Sequence, residues 1–227
     1  MNPESAADPV LARLREAAAL VLWELEAVKV RPGDPFRLAS GNSSPIYVNC
    51  RRLISEPGFM ELFVAAARRL TRSSEIRFDA VAGGETAGIP FAAYLASAFA
   101  RPMVYVRKKA KGHGLASRVE GHLEPGAAVL LVEDLITDGG SKLSFLDALA
   151  EAGATVRDAL VVFDRQQGGA ETLERRGVLL SSITDRQTML RTGEEAGLLA
   201  PEDRRSVDDY FRDPEAWHRE RGLDYHG

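Results

Sequence analysis

Between residues 78 and 183, short continuous apolar runs take turns with stretches whose apolar positions recur every three or four residues. The runs are "FDAVAGG" (78–84), "MVYV" (103–106), "AAVLLVED" (127–134), "RDALVVFD" (157–164) and "VLLSSI" (178–183). A strand that is apolar at every position has both faces covered, so these runs predict a buried parallel sheet. "ETAGIPFAAYLASAFA", "GGSKLSFLDALAEAG" and "GAETLERRG" carry the helical period between them, the second closed by Gly153. Upstream, Asp8 followed by Pro9 is a helix start, a side-chain cap and then a ring that needs no N–H partner. Leu11, Leu14, Ala18, Leu22 and Leu25 then form one apolar stripe, and "VRPGDP" ends it. "PIYVN" (45–49) reads as a short strand, and "GFMELFVAAARRL" (58–70) is again helical by period.

The alternation predicts an α/β fold, a doubly wound parallel sheet with a small N-terminal helical extension. The expected division is an N-terminal helix and hood segment (1–56), the α/β core (57–200) and a polar helical tail (201–227).

Composition narrows the function. With 227 residues the chain can bury a substantial core, and 45% hydrophobic with 27% charged residues is ordinary for a globular protein. A net charge of -4 argues against a nucleic-acid partner, which calls for a basic face. Apolar runs are too short for a membrane span. "AAALVL" (17–22) lacks the flanks of a secretion signal, and the lone Cys50 suits a reducing compartment, so a cytoplasmic location is expected.

The candidate chemistry sits in "AAVLLVEDLITDGGSK" (127–142). In a doubly wound sheet, ligands bind beyond the carboxyl ends of the strands, which is where this strand delivers Glu133 and Asp134. Thr137, Asp138, Gly139, Gly140 and Ser141 form the following turn, whose glycines let backbone N–H groups converge at a helix N-terminus suited to a phosphate monoester. The two carboxylates would repel that phosphate, so sugar hydroxyls or Mg²⁺ are their partners. A phosphorylated ribose satisfies both halves. Neither a G-x-x-x-x-G-K-[ST] nor a G-x-G-x-x-G pattern is present. "RKKAKGHG" (107–114) adds a cationic stretch flanked by glycines, suited to stabilising a departing polyanion.

"VLLVEDLITDGGS" closely resembles the phosphoribosyl-diphosphate signature of type I phosphoribosyltransferases. "YVRKKAKGHG" resembles the mobile catalytic loop of its orotate-using branch, and "SGNSSPIYVN", "GGETAGIPFA" and "VVFDRQQGG" resemble three further segments of that branch in the same order, across residues 30 to 190. The resemblance implies the type I phosphoribosyltransferase fold and transfer of a ribosyl 5-phosphate group from phosphoribosyl diphosphate to orotate, with Mg²⁺, in pyrimidine biosynthesis. It implies that Arg107, Lys108, Lys111 and His113 contact the diphosphate, with Lys111 and His113 stabilising the leaving group. It assigns the ribose hydroxyls to Glu133 and Asp134, with Asp134 balancing charge developing on the sugar. The 5-phosphate falls to residues 137–141, and orotate to Tyr47, Val48, Thr137 and Arg165. No direct metal ligand is expected, since Mg²⁺ comes with the substrate. In the family the cationic loop reaches into the neighbouring subunit, which implies a homodimer with shared active sites.

Two departures stand out. Ala39, Asn42 and Ser43 surround Ser40-Gly41 where relatives carry a lysine, and Ala87 stands where others place a lysine beside the diphosphate. Arg51, Arg52 and Lys109 are the candidates to compensate. A phosphoribosyltransferase for another base is opposed by the "DRQ" and "SPIY" segments. A non-catalytic sensor of phosphoribosyl diphosphate is opposed by the Lys111/His113 loop. His122, His218 and His226 read as surface residues, Trp23 and Trp217 as packing, and Cys50 as inert.

Overall fold

The computed structural model describes residues 8–38, 40–109 and 118–226; Ala39 and the loop residues Lys111, Gly112, His113 and Gly114 lie outside them. Helix α1 (Pro9–Glu24) starts as its sequence demands, with the Asp8 carboxylate accepting from the backbone N–H groups of Val10 and Leu11 at 3.0 and 3.2 Å. Its stripe buries Leu11, Ala18 and Leu22. The hood follows as two small antiparallel ribbons. One pairs β1 (Val28–Val30) with β4 (Ile46–Val48), the other β2 (Phe36–Arg37) with β3 (Ser43–Ser44). A 3-10 helix (Cys50–Ser55) leads into α2 (Pro57–Ser73).

The core sheet comprises β5 (Ala80–Gly84), β6 (Met103–Val106), β7 (Val119–Glu120), β8 (Ala128–Ile136), β9 (Thr155–Asp164) and β10 (Leu179–Asp185). Their spatial order is β10-β9-β8-β5-β6-β7. All neighbours are parallel except β7, an antiparallel edge strand that the sequence pattern did not reveal. Helices α3 (Gly88–Phe99), α4 (Gly140–Glu151) and α5 (Gly169–Glu174) make the crossovers. The strand period of two sorts the apolar runs onto two cores. Leu130, Val132, Leu160 and Val162 face α1, α2 and α3, while Val129, Leu131, Ala159 and Val161 face α4 and α5.

Three further helices complete the chain: α6 (Arg186–Glu195), α7 (Pro201–Arg212) and α8 (Pro214–Glu220). The periodicity missed α6, whose cap is Asp185 accepting from the Thr188 N–H at 2.8 Å. It packs on α1, where the Trp23 indole donates to Met189 O at 2.9 Å and a Cβ on Gly193 would stand 2.6 Å from the Trp23 ring. The tail is docked on the hood. Asn42 exchanges two hydrogen bonds of 2.8 Å with the His226 backbone, and the Ser43 N–H donates to His218 Nε2 at 3.0 Å. The expectation of a surface His218 is therefore corrected: the ring is wholly buried against Trp217 and Tyr210, because the hood covers it. No described helix is long and apolar enough to cross a membrane.

Phe63 is fully buried and meets Phe91 edge-on, the ring centroids 5.2 Å apart, where α2 packs on α3. Phe63→Ala should cost about 3–5 kcal/mol of stability, read from the urea unfolding midpoint.

Candidate active site

The chain leaves β5 toward β6 and leaves β8 toward β9, in opposite directions across the sheet. Such a switch point opens a crevice above the carboxyl ends of the two strands, because the crossover helices turn away from each other. A cleft of about 400 Å³ lies there. Residues 85–87 after β5, 133–135 of β8, and Ser141 and Lys142 of α4 line it, with Tyr47 to Arg51 of the hood opposite. Two larger clefts, of about 820 and 690 Å³, lie along α2 and α3 and contain none of the motif residues. The larger borders Phe78 and Asp79, at the wrong end of β5 for a doubly wound ligand site.

The glycine turn has the expected backbone. Gly139 adopts φ +87, and a Cβ there would come within 3.1 Å of Thr172, so the position needs glycine. Ser141 is exposed in the cleft, while Thr137 is half-buried. One amide is already engaged, the Gly140 N–H donating to Asp138 Oδ1 at 3.0 Å.

The two acids, expected to share a sugar diol, both line the cleft but differ in their surroundings. β8 continues to Ile136, paired with β9, so Glu133 and Asp134 lie inside the strand and point to opposite faces. Asp134 is half-buried in the cleft. Glu133 is 5% exposed, and its Oε2 pairs with Lys142 Nζ at 2.9 Å. Its Oε1 is buried against Gly84 and Gly88, where an added Cβ would come to 2.1 and 2.3 Å. The Gly84 N–H favours the charged carboxylate, yet Oε1 closes no hydrogen bond of normal geometry. Burial pushes the Glu133 carboxyl above its ordinary value, against the pull of Lys142. Lys142 went unnoticed in the sequence because a lysine on a first helical turn normally reads as solvated. Its only signal is its place directly after the Gly-Gly-Ser turn.

On the hood side, Tyr47 and Val48 line the cleft, with the Tyr47 ring 5.6 Å from Phe36. Arg165 follows β9 and does not itself line this cleft. Burial lowers the Arg165 guanidinium from its ordinary value. Its Nε, Gln166 Oε1 and Gln167 Oε1 are three consecutive buried polar atoms without partners. Groups of this kind hold a polar ligand or pay a desolvation cost. Burial also pushes the Cys50 thiol well up, consistent with an inert cysteine.

The cations differ in reach. Lys108 lines the cleft, its backbone N–H donating to Glu85 Oε2 at 2.8 Å. Arg107 pairs with Glu120 at 3.4 Å and does not line it. Arg51, one of the candidates to offset the absent lysines, does.

The phosphoribosyl transferase domain model matches residues 56–184. Orotate phosphoribosyltransferase of Sinorhizobium fredii is 40% identical over 213 residues, covering 92% of each chain. The crystal structure of orotate phosphoribosyltransferase from Aeropyrum pernix superposes with a TM-score of 0.70 at 36% identity, over 80% of this chain and 99% of that one. The Mycobacterium tuberculosis orotate phosphoribosyltransferase in complex with 5-phospho-alpha-D-ribosyl 1-diphosphate superposes at 0.64 with 28% identity, over 78% and 98%.

The glycine cradle of Glu133 is testable on its own. A methyl on residue 84 would also meet the Phe145 ring at 2.4 Å, so Gly84→Ala should lower stability by about 1–3 kcal/mol in urea unfolding.

Proposed function

The chain belongs to the phosphoribosyltransferase family and, within it, to the orotate phosphoribosyltransferases, and from that premise we propose how its own residues carry the transfer. A ring nitrogen of orotate attacks C1 of phosphoribosyl diphosphate. The C1–N bond forms as the C1–O bond breaks, and the electron pair leaves with the diphosphate. The observation that carries the reading is the joint placement of Asp134, Ser141 and the hood residues Tyr47 and Val48 around one crevice.

In this reading residues 137–141 bind the 5-phosphate through turn amides and the Ser141 hydroxyl, with Asp138 releasing the Gly140 N–H. Asp134 takes the ribose diol and offsets positive charge developing at C1. Glu133, with one oxygen on Lys142 and the other covered, supports the strand end from behind. Tyr47 and Val48 border the base. Arg165 and its unpartnered neighbours supply donors and acceptors for the carboxylate and imide groups of orotate. Lys108 faces the diphosphate, and Arg107 joins it by exchanging Glu120 for the substrate. Lys111 and His113, assigned from their sequence motif, stabilise the leaving group, with His113 a proton source.

Mg²⁺ belongs to the proposal as a companion of the substrate. Among the described residues no cluster of three or more acidic, histidine or cysteine side chains could hold a metal, and Asp134 is the half-exposed strand-end carboxylate able to share one. When bound, the ion neutralises diphosphate charge through hard oxygen ligands. A cytoplasmic location accords with the lone buried thiol of Cys50.

The test is consumption of orotate with phosphoribosyl diphosphate and Mg²⁺, run beside adenine, uracil and xanthine. Orotate alone should be converted; equal use of another base would overturn the assignment. Arg165→Ala should lower kcat/KM for orotate by about tenfold to a hundredfold, the cost of losing a charge-assisted contact, while leaving KM for phosphoribosyl diphosphate near the wild-type value. Light scattering should give a dimer, and a purely monomeric active enzyme would remove the shared site.

A further inference from the structure

The wall of the crevice formed by Glu85, Thr86 and Ala87 contains no cation of its own. A diphosphate seated against it would face the Glu85 carboxylate and an alanine methyl. Lys142 reaches this region from the opposite side of the strand end. Its Nζ is 2.9 Å from Glu133 Oε2, and that same carboxylate lies in the cradle made by Gly84 and Gly88, at the two ends of the wall. The side chain is about one-tenth exposed and lines the cleft together with Thr86, Ala87 and Lys108.

An ammonium has three donors. Glu133 Oε2 accepts one, and Ser141 Oγ accepts a second at 3.3 Å. Among the described residues the third has no partner. The other cations of the cleft, Arg51 and Lys108, are exposed to solvent and therefore screened. A charge that is largely withdrawn from water acts on a nearby anion through a lower effective dielectric.

We propose that Lys142, held in place by Glu133, is the cation that binds the diphosphate of phosphoribosyl diphosphate at the wall where Ala87 offers none. Glu133 is then a positioning residue for Lys142. The inference rests on the transferase reading above and deepens it. It also accounts for the burial of a charged pair at the rim of a site. Such a pair adds little to stability compared with apolar packing, so its retention there needs a use.

The experiment titrates inorganic diphosphate with Mg²⁺ by calorimetry into the wild type, Lys142→Arg, Lys142→Met and the double variant Lys142→Met/Glu133→Gln. Lys142→Met should weaken diphosphate binding by about tenfold or more, and Lys142→Arg should keep most of it. The double variant buries no unpaired charge, so it separates the two roles open to the lysine. If Lys142 serves the ligand, the double variant remains weak; if the lysine only neutralises Glu133, the double variant binds as wild type and the inference is overturned. Wild-type affinity in Lys142→Met overturns it as well, and should that single variant not fold, the double variant decides alone. In turnover assays KM for phosphoribosyl diphosphate should rise while KM for orotate holds. A wild type that binds diphosphate but does not convert orotate would sink the enzymatic reading and leave the lysine's role intact.

Discussion

The parting of the chain at β5 and β8 is the constraint on which the rest depends. A right-handed crossover must carry the chain to one side of a parallel sheet, so two adjacent strands whose crossovers go opposite ways leave a gap above their ends. Among the described candidates, Tyr47, Val48, Lys108, Glu133, Asp134 and Ser141 line that gap, while Arg107 and Arg165 stand off it. The 85–87 turn, the end of β8, the α4 N-terminus and the hood all border it. Apolar packing covers both faces of β8 beneath it, through Leu130 and Val132 on one side and Val129 and Leu131 on the other.

Within the gap, polarity is divided. Glycines at 84, 88 and 139 admit backbone and carboxylate where side chains would collide. The acids alternate across the strand, so neighbouring carboxylates meet different surroundings. Asp134 is left open, and Glu133 is turned inward onto Lys142. Strand geometry thereby separates two like charges that are adjacent in the chain.

The hood is held by the far end of the chain. His218 accepts from the Ser43 N–H, and Asn42 clasps the His226 backbone, so α8 sets the loop that leads into Ile46, Tyr47 and Val48. Trp217, Tyr210 and the buried His218 ring form the aromatic base of that contact. The tail thus braces the hood side of the crevice without lining it.

What the amino-acid order determined by itself was whatever depends on near neighbours. The apolar runs specify the core strands, the Asp8-Pro9 pair starts α1, and Thr-Asp-Gly-Gly-Ser marks the turn into α4, because each rests on local backbone preference or on burial of both strand faces. Tertiary structure alone decided the partners. It extended β8 to Ile136 by pairing with β9, and so sent Glu133 and Asp134 to opposite faces. It buried Lys142 and His218, folded α6 against Trp23, and left Arg165 off the lining of the cleft. The physical reason is common to all of these: the free energy of a charge or a ring depends on what surrounds it, and its surroundings here come from segments remote along the chain.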